Sequence, residues 1–371
     1  MKKKKLKDFQ KIHLLGKGSV GEVYLVKLKG TKQLYAMKVL SKDEMIKKNK
    51  VQRVLTEREI LLTTDHPFIV SMYYSFQSRN KLVFIMQYCA GGEFLKLIQS
   101  QPYRCLTEEQ AKFYICEVIL AIEYLHMCGY VYRDLKPENI LVHECGHILL
   151  TDFDLSKVTT PGTPKVVSSL PGLVVAEPEL VTNSFVGTEE YLAPEVINGT
   201  GHNAAVDWWA LGILLYEMLY STTPFRGTTR DATFSNIINT STKLKLPPAP
   251  RGSISKECKN LLKLLLHRDP KKRLGASWGA AEIKEQAFFK GVKWQLVRNQ
   301  TPPIKPDLIV PALDPTCFKN VRLKEIRETH DEESEIDVAI LDQNHPFKTC
   351  EPVDKTERDD LDRQKTKQKK T

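Results

Sequence analysis

The chain has 371 residues, 42% hydrophobic and 27% charged, a composition that excludes a disordered or fibrous protein and allows two well-buried cores. No apolar run approaches the roughly 20 residues that cross a bilayer, and the basic start M-K-K-K-K-L-K lacks the apolar stretch of a signal peptide, so a cytoplasmic protein is expected. The net charge of +10 gathers in residues 2–5 and in Lys365, Lys367, Lys369 and Lys370, tails that read as solvated termini or as contacts for anionic lipid or nucleic acid, while the eight scattered cysteines form no C-x-x-C pair and argue against a disulfide framework or structural zinc.

Residues 9–88 read mostly as strands. F-Q-K-I-H-L-L and E-V-Y-L-V-K-L flank the turn G-K-G-S-V-G, and Gly16, Gly18 and Gly21 at that spacing let backbone amides approach phosphate oxygens. A dinucleotide-binding turn has the same glycines, but it opens a helix, whereas this one returns into a strand at Val23. In the next strand, Q-L-Y-A-M-K-V-L, Lys38 stands among apolar neighbours and must find an anion. A helix is expected to start at Ser41 with Glu44 completing a capping box and to continue through V-L-T-E-R-E-I-L-L. Glu57 is the candidate partner for Lys38, with Glu59 as the alternative. Two further strands end in K-L-V-F-I-M-Q-Y-C-A-G-G-E-F.

Helices follow. Thr107 and Gln110 form a capping box, Gly129 is the stop signal, and apolar residues at 111, 114, 115, 118, 122 and 125 make a core-facing stripe between them. His126, near its end, reads as structural. The stretch Y-V-Y-R-D-L-K-P-E-N-I-L, a short turn and L-L-T-D-F-D-L then form a strand-turn-strand ribbon that gathers Asp134, Lys136, Asn139 and Asp152 at one end. A carboxylate beside a lysine, with an amide and a second carboxylate on the ribbon, suits phosphoryl transfer from a magnesium nucleotide, which needs positioning and charge neutralisation. Asp134 is assigned to the attacking hydroxyl and Lys136 to the charge of the transferring group. Asn139 and Asp152 are hard-cation oxygen donors.

Residues 157–183, rich in Pro, Thr and Ser, read as an exposed and mobile insert. D-W-W-A-L-G-I-L-L-Y-E-M-L-Y is apolar all round, a buried helix in which Asp207 is expected to bond the backbone near Asp134. Beyond residue 290 come P-P-I-K-P, the acidic run H-D-E-E-S-E-I-D and N-H-P-F-K-T-C-E.

These stretches resemble the protein kinases. Y-R-D-L-K-P-E-N is similar to the H-R-D-L-x-x-x-N loop, T-D-F-D to the D-F-G metal loop and G-K-G-S-V-G to the nucleotide-covering loop. The resemblance covers residues 9–289 and implies an α+β, bilobal protein kinase fold. Its parts would be a basic tail (1–8), a small β-rich N-lobe (9–88), a large α-helical C-lobe (89–289) and a C-terminal tail (290–371). It implies ATP and Mg2+, with Leu15, Gly16, Lys17, Gly18, Ser19, Val20, Gly21, Val23, Ala36, Lys38, Met86, Gln87, Cys89, Glu93 and Leu141 around the nucleotide. Asp134, Lys136, Lys38 and Glu57 would be catalytic, and Asn139 and Asp152 would bind metal.

By the same resemblance Ser184 is the site of an activating phosphate added by an upstream kinase, with Arg133 a basic partner for it. Thr188 should contact Asp134 and Lys136, and Glu195 should pair with Arg273. Lys136 resembles the serine/threonine enzymes. Tyr132 before Arg133, Asp154 in place of the D-F-G glycine, the insert and the tail are similar to the AGC group and, within it, to the fungal flippase-kinase and plant phototropin-kinase branch. That branch implies regulation of lipid flippases or membrane polarity. Asp154 should restrict inversion of the metal loop. Glu93, Glu138 and Glu190 would form an acidic surface for protein substrates with basic residues near the acceptor. The tail resembles one that docks an F-x-x-F motif on the small lobe, here degenerate, with Phe347 matching, Cys350 in place of the second aromatic and Glu351 at the phosphosite. A monomer close to a bare catalytic unit is expected, with no nucleic-acid partner.

Overall fold

The computed structural model describes residues 4–159, 165–166, 174–175, 186–308, 347 and 353–354. The chain divides into two compact units, one of Met1–Leu62, Val70–Tyr88 and Ile309–Thr371, the other of Thr63–Ile69 and Cys89–Leu308.

The first unit is built on antiparallel strands: β1 (Phe9–Lys17), β2 (Gly21–Leu28), β3 (Leu34–Ser41), β4 (Met72–Gln77) and β5 (Lys81–Gln87), with helices α1 (Lys42–Lys47) and α2 (Val51–Thr63) between β3 and β4. The sheet order is β1-β2-β3-β5-β4, and a short tail strand, Val353–Asp354, adds to the β4 edge with Val353 opposite Ser75. All five residues from Leu82 to Met86 on β5 are buried, because an inner strand covered on both faces has no solvent side on which to alternate. One face is closed by a cluster including Phe9, Val26, Tyr35, Met37, Tyr74, Phe76 and Ile85, with Phe9 packed edge-on to Tyr35 at 5.8 Å. Burying each such side chain contributes roughly 1.5–3 kcal/mol. Phe347 of the tail is also fully buried, and the Lys42 ammonium lies 5.4 Å from its ring centroid.

The helix expected to run on from Ser41 is interrupted. Ser41 accepts the Glu44 N–H at 3.4 Å, but the Glu44 carboxylate pairs with Lys48 at 3.0 Å instead of closing the capping box. The chain turns at Asn49 (φ 51°) and restarts at Val51, because K-K-N-K offers no apolar periodicity and asparagine tolerates the left-handed region.

The second unit is mainly helical. It contains α3 (Phe94–Gln99), α4 (Glu108–Met127), the short strands β6 (Tyr130–Val131), β7 (Ile140–Val142), β8 (Ile148–Leu150) and β9 (Lys157–Val158), and the two-stranded ladder of β10 (Lys165–Val166) and β11 (Val174–Val175). Helices α5 (Pro194–Ile197), α6 (Ala205–Tyr220), α7 (Arg230–Ile238), α8 (Lys256–Leu265) and α9 (Ala280–Lys284) follow. On α4 the reciprocal Thr107–Gln110 capping box is formed, and burial extends beyond the apolar stripe to Cys116, Glu117, Ile119 and Ala121, because the helix is covered on more than one side. Glu117 can be buried there because it accepts from the Ile148 N–H at 2.9 Å and meets His147 Nδ1 at 2.5 Å, which ties the β7–β8 hairpin to α4. Burial pushes the Glu117 carboxyl above its usual range, while His147 and the Ile148 amide oppose that shift.

Helix α6 is the axis of this unit, buried at all but one of its residues. Gly212 permits its close approach to α8, where a Cβ would meet Leu266 Cδ2 at 2.9 Å. Among the described residues no helix is long and apolar enough to cross a membrane.

Candidate active site

In the first unit, α2 places Val54, Glu57, Ile60 and Leu61 on its buried face. A carboxylate in that stripe needs a counter-charge. Lys38, reaching from β3, supplies it: its Nζ donates to Glu57 Oε1 at 2.6 Å and Oε2 at 2.9 Å. Strand register sets Lys38 opposite Val23 on β2 and Phe84 on β5, and Ala36 opposite Met86.

The β1–β2 turn is closed by a Gly18 N–H to Gly21 O bond of 2.8 Å. Gly21 is required by packing, since a Cβ there would lie 2.1 Å from Val39 O. Gly16 and Gly18 have no such constraint. A Cβ at Gly16 would meet nothing within 4 Å, and one at Gly18 only Gly21 O at 3.6 Å. Two glycines that packing does not demand, on an exposed turn, suit a ligand that approaches the backbone, as phosphate does. Leu15 and Lys17 are exposed, Val20 is partly covered, and Ser19 is tied to the α1–α2 connection by Lys48 Nζ, which donates to its carbonyl, and by Lys50 Nζ, 3.0 Å from its hydroxyl.

In the second unit, Cys89, Glu93 and Leu141 come together where the chain after β5 runs beside β7. Glu93 bridges to Leu141, and the Gly91 and Val142 N–H groups donate to Val142 O and Gly92 O at 3.0 and 2.8 Å. Cys89 is buried, which pushes its thiol up to about 12 and leaves it an unreactive apolar group. Glu93 lies 3.3 Å from Lys96.

Lys136, Asn139 and Thr188 converge on Asp134. Lys136 Nζ donates to Asp134 Oδ2 at 2.9 Å and to Thr188 Oγ1 at 2.8 Å, and the Thr188 hydroxyl donates to Asp134 Oδ1 at 3.2 Å. Asn139 Nδ2 donates to both Asp134 Oδ2 (2.7 Å) and Asp134 O (3.0 Å), so its amide nitrogen is committed and its oxygen is the donor left for a hard cation. The Thr151 N–H donates to the Asn139 backbone carbonyl at 3.0 Å, which ties the segment leading into Asp152 to Asn139. Among the described residues no three His, Cys, Asp or Glu groups cluster as a metal site. Asn139 and Asp152 offer two oxygen donors, and such a set, with water and phosphates to complete the shell, fits Mg2+.

The loop is held in a strained shape. Arg133 and Asp152 have φ of 66° and 58°, in the left-handed region that costs a non-glycine residue of order 1 kcal/mol or more. Asp207, fully buried at the start of α6, sustains the first of these. Its Oδ1 accepts the Arg133 N–H at 2.7 Å, its Oδ2 accepts the Tyr132 N–H at 2.9 Å, and His126 Nε2 holds Oδ2 at 2.8 Å. Tyr132, in the position where the family has histidine, donates its hydroxyl to Thr151 O at 2.5 Å and packs against the buried Phe153 ring at 5.5 Å, fixing the segment that carries Asp152. Arg133 Nε donates to Leu155 O at 2.8 Å. Ser184 lies outside the described residues, as do Cys350 and Glu351.

Beyond Thr188, Glu195 and Arg273 form a buried bidentate pair at 2.6 and 2.8 Å, with Arg273 Nη1 also donating to Ala205 O at 2.9 Å. Glu138 is exposed and Glu190 half-buried. Glu217 joins them and was not singled out from the sequence: it accepts the Tyr191 hydroxyl, and burial, then the Glu138 and Glu190 carboxylates, push its carboxyl above the usual range, while Tyr191 and Arg226 pull the other way. The available signal was a second acid, after Asp207, in an otherwise apolar helix. The same comparison of residue types could not reveal Thr223 and Arg226, both of which contact Glu190.

A model of the protein kinase domain matches residues 9–289. The chain is 52% identical over 330 residues to the serine/threonine-protein kinase nrc-2 of Neurospora crassa, covering 86% of this chain and 52% of that protein. It is 53% identical over 306 residues to flippase kinase 1 of Saccharomyces cerevisiae (81% and 34%), and 49% identical over 311 residues to phototropin-1A of Oryza sativa subsp. japonica (80% and 33%). It therefore spans about half or less of the length of these relatives.

Proposed function

The chain belongs to the protein kinase domain family, and on that premise we propose that it transfers the γ-phosphate of Mg-ATP to serine and threonine hydroxyls of proteins. The observation that carries this reading is the network in which three polar side chains, Lys136, Asn139 and Thr188, converge on the Asp134 carboxylate. Asp134 orients the acceptor hydroxyl and takes its proton as the oxygen attacks. Three donors hold the carboxylate, so little reorganisation accompanies the step. Lys136 offsets the negative charge carried by the transferring group. Lys38, fixed by Glu57, neutralises nucleotide phosphate charge, and the open Gly16 and Gly18 backbone approaches the same groups. Asn139 and Asp152 would hold Mg2+, which when bound supplies charge neutralisation at the phosphates.

Glu138, Glu190 and Glu217 favour substrates with a basic residue near the acceptor. The relative named as a flippase kinase supports lipid flippases, or proteins of membrane polarity, as the class of target, and the basic ends of the chain favour peripheral contact with an anionic membrane. Ser184 is the proposed site for an upstream kinase. Incubation with γ-labelled ATP, Mg2+ and matched peptides carrying serine, threonine or tyrosine beside an arginine tests the reading. Label on the serine and threonine peptides alone is expected; label on tyrosine alone, or none with Ser184 phosphorylated, contradicts it.

A further inference from the structure

Glu190 is already engaged by the protein itself. Its Oε2 accepts the Thr223 hydroxyl at 2.5 Å, and its Oε1 faces Arg226 Nε at 3.6 Å. Arg226 also acts electrostatically on Glu217, lowering the pKa that burial and the Glu138 and Glu190 carboxylates raise. Three carboxylates and one guanidinium therefore share this surface.

The backbone that presents Arg226 is pinned on both sides. Phe225 is buried, stacked on Trp209 with ring centroids 5.5 Å apart, and the Arg268 guanidinium lies over the Phe225 ring, 4.9 Å from its centroid. Gly227 donates its N–H to Thr233 Oγ1 at 3.0 Å and sits so close to α7 that a Cβ would meet Ala232 at 2.7 Å. Between these anchors the Arg226 side chain is exposed, with 63% of its surface open to solvent against 33% for Glu190. A guanidinium on a fixed base, in a long and solvated contact, stays near the acid yet yields readily to a competitor.

We propose that Arg226 is a built-in counterion of the substrate surface, occupying the place of a substrate's basic side chain on Glu190 and thereby weakening the enzyme's preference for basic substrates. The proposal rests on the reading that Glu138, Glu190 and Glu217 receive such side chains. An incoming arginine or lysine must displace Arg226 before it gains Glu190, so part of the electrostatic attraction is spent in exchange of one cation for another. Substrates without a basic residue leave the Arg226 contact intact and lose nothing by it. Arg230 offers an internal control, because it pairs with the neighbouring Glu189 at 3.1 Å and braces against Phe234 instead.

The test is the ratio of kcat/KM for two serine peptides that differ only by arginine or alanine near the acceptor, measured at low ionic strength. Arg226→Ala, and independently Arg226→Gln, should raise the ratio about two- to fivefold, the range an exposed ion pair commands, with the change in KM and much of it lost in high salt. Arg230→Ala should leave the ratio where it stands. Glu138→Gln should lower it. An unchanged or lower ratio in both Arg226 variants overturns the proposal, as does an equal rise in Arg230→Ala, which would mark a general charge effect. If Glu138→Gln lowers the ratio while the Arg226 variants do not raise it, the Arg226 proposal alone fails. If neither moves it, the acidic-surface reading fails and the proposal falls with it.

Discussion

Of the Glu–Arg pairs among the described residues of the second unit, Glu195–Arg273 and Glu190–Arg226 differ in almost everything except residue type. Glu195 and Arg273 are 3% and 0% exposed and joined by two short bonds, whereas Glu190 and Arg226 are 33% and 63% exposed and meet at 3.6 Å. Breaking the first leaves a buried charge without compensation. Breaking the second returns two ions to water. Burial therefore turns the same chemistry into a scaffold in one place and an exchangeable contact in another. Lys38–Glu57, in the first unit, stands between them, with the lysine 19% and the glutamate 3% exposed: fixed enough to be positioned, open enough to meet a ligand.

Replacing Arg273 by alanine should destabilise the protein by about 3–5 kcal/mol in urea unfolding, the cost of stranding a buried carboxylate. A loss below about 1 kcal/mol would put this pair in the class of surface ion pairs and break the comparison. Lys38→Met should come next, lowering kcat/KM for ATP by roughly ten- to hundredfold, as removal of a hydrogen bond to a charged group does. Steady-state kinetics at varied ATP would detect it, and an unaffected enzyme would show that the pair serves the fold alone.

For Glu217 the sign follows from its raised pKa. Its carboxylate forms only as pH rises through a value above the ordinary 4.5, so the acidic surface gains charge in that direction. The preference for an arginine-bearing peptide should grow as pH climbs from the acid side, and Glu217→Gln should flatten the profile. The smallest effect belongs to the exposed pair: Arg226→Ala should change unfolding stability by no more than about 1 kcal/mol while altering peptide preference, the converse of Arg273.

Much of this was legible in the residues. The Asp134–Asn139 spacing, the glycine turn and the capped α4 are local patterns, in which neighbours along the chain decide the geometry. The interrupted helix after Ser41 was hidden because a capping signal specifies a start and says nothing of length, and K-K-N-K carries no periodicity to continue it. The Arg226–Glu190 contact joins residues 36 apart in sequence, and Glu217 is one of only two acids in the otherwise apolar α6. Such contacts depend on how helices and loops pack, which composition and spacing do not encode. The tail illustrates the same point: a degenerate motif with only Phe347 matching left docking open, and Phe347 is fully buried while Val353–Asp354 extends the sheet.

The proposed phosphoryl transfer rests on Asp134 acting on the acceptor hydroxyl. Turnover of a serine peptide by Asp134→Asn, measured with γ-labelled ATP beside ATP affinity by calorimetry, tests it most directly. The network predicts a fall in kcat of about 10²–10⁴-fold with ATP binding retained. Turnover equal to that of the unaltered protein would contradict it.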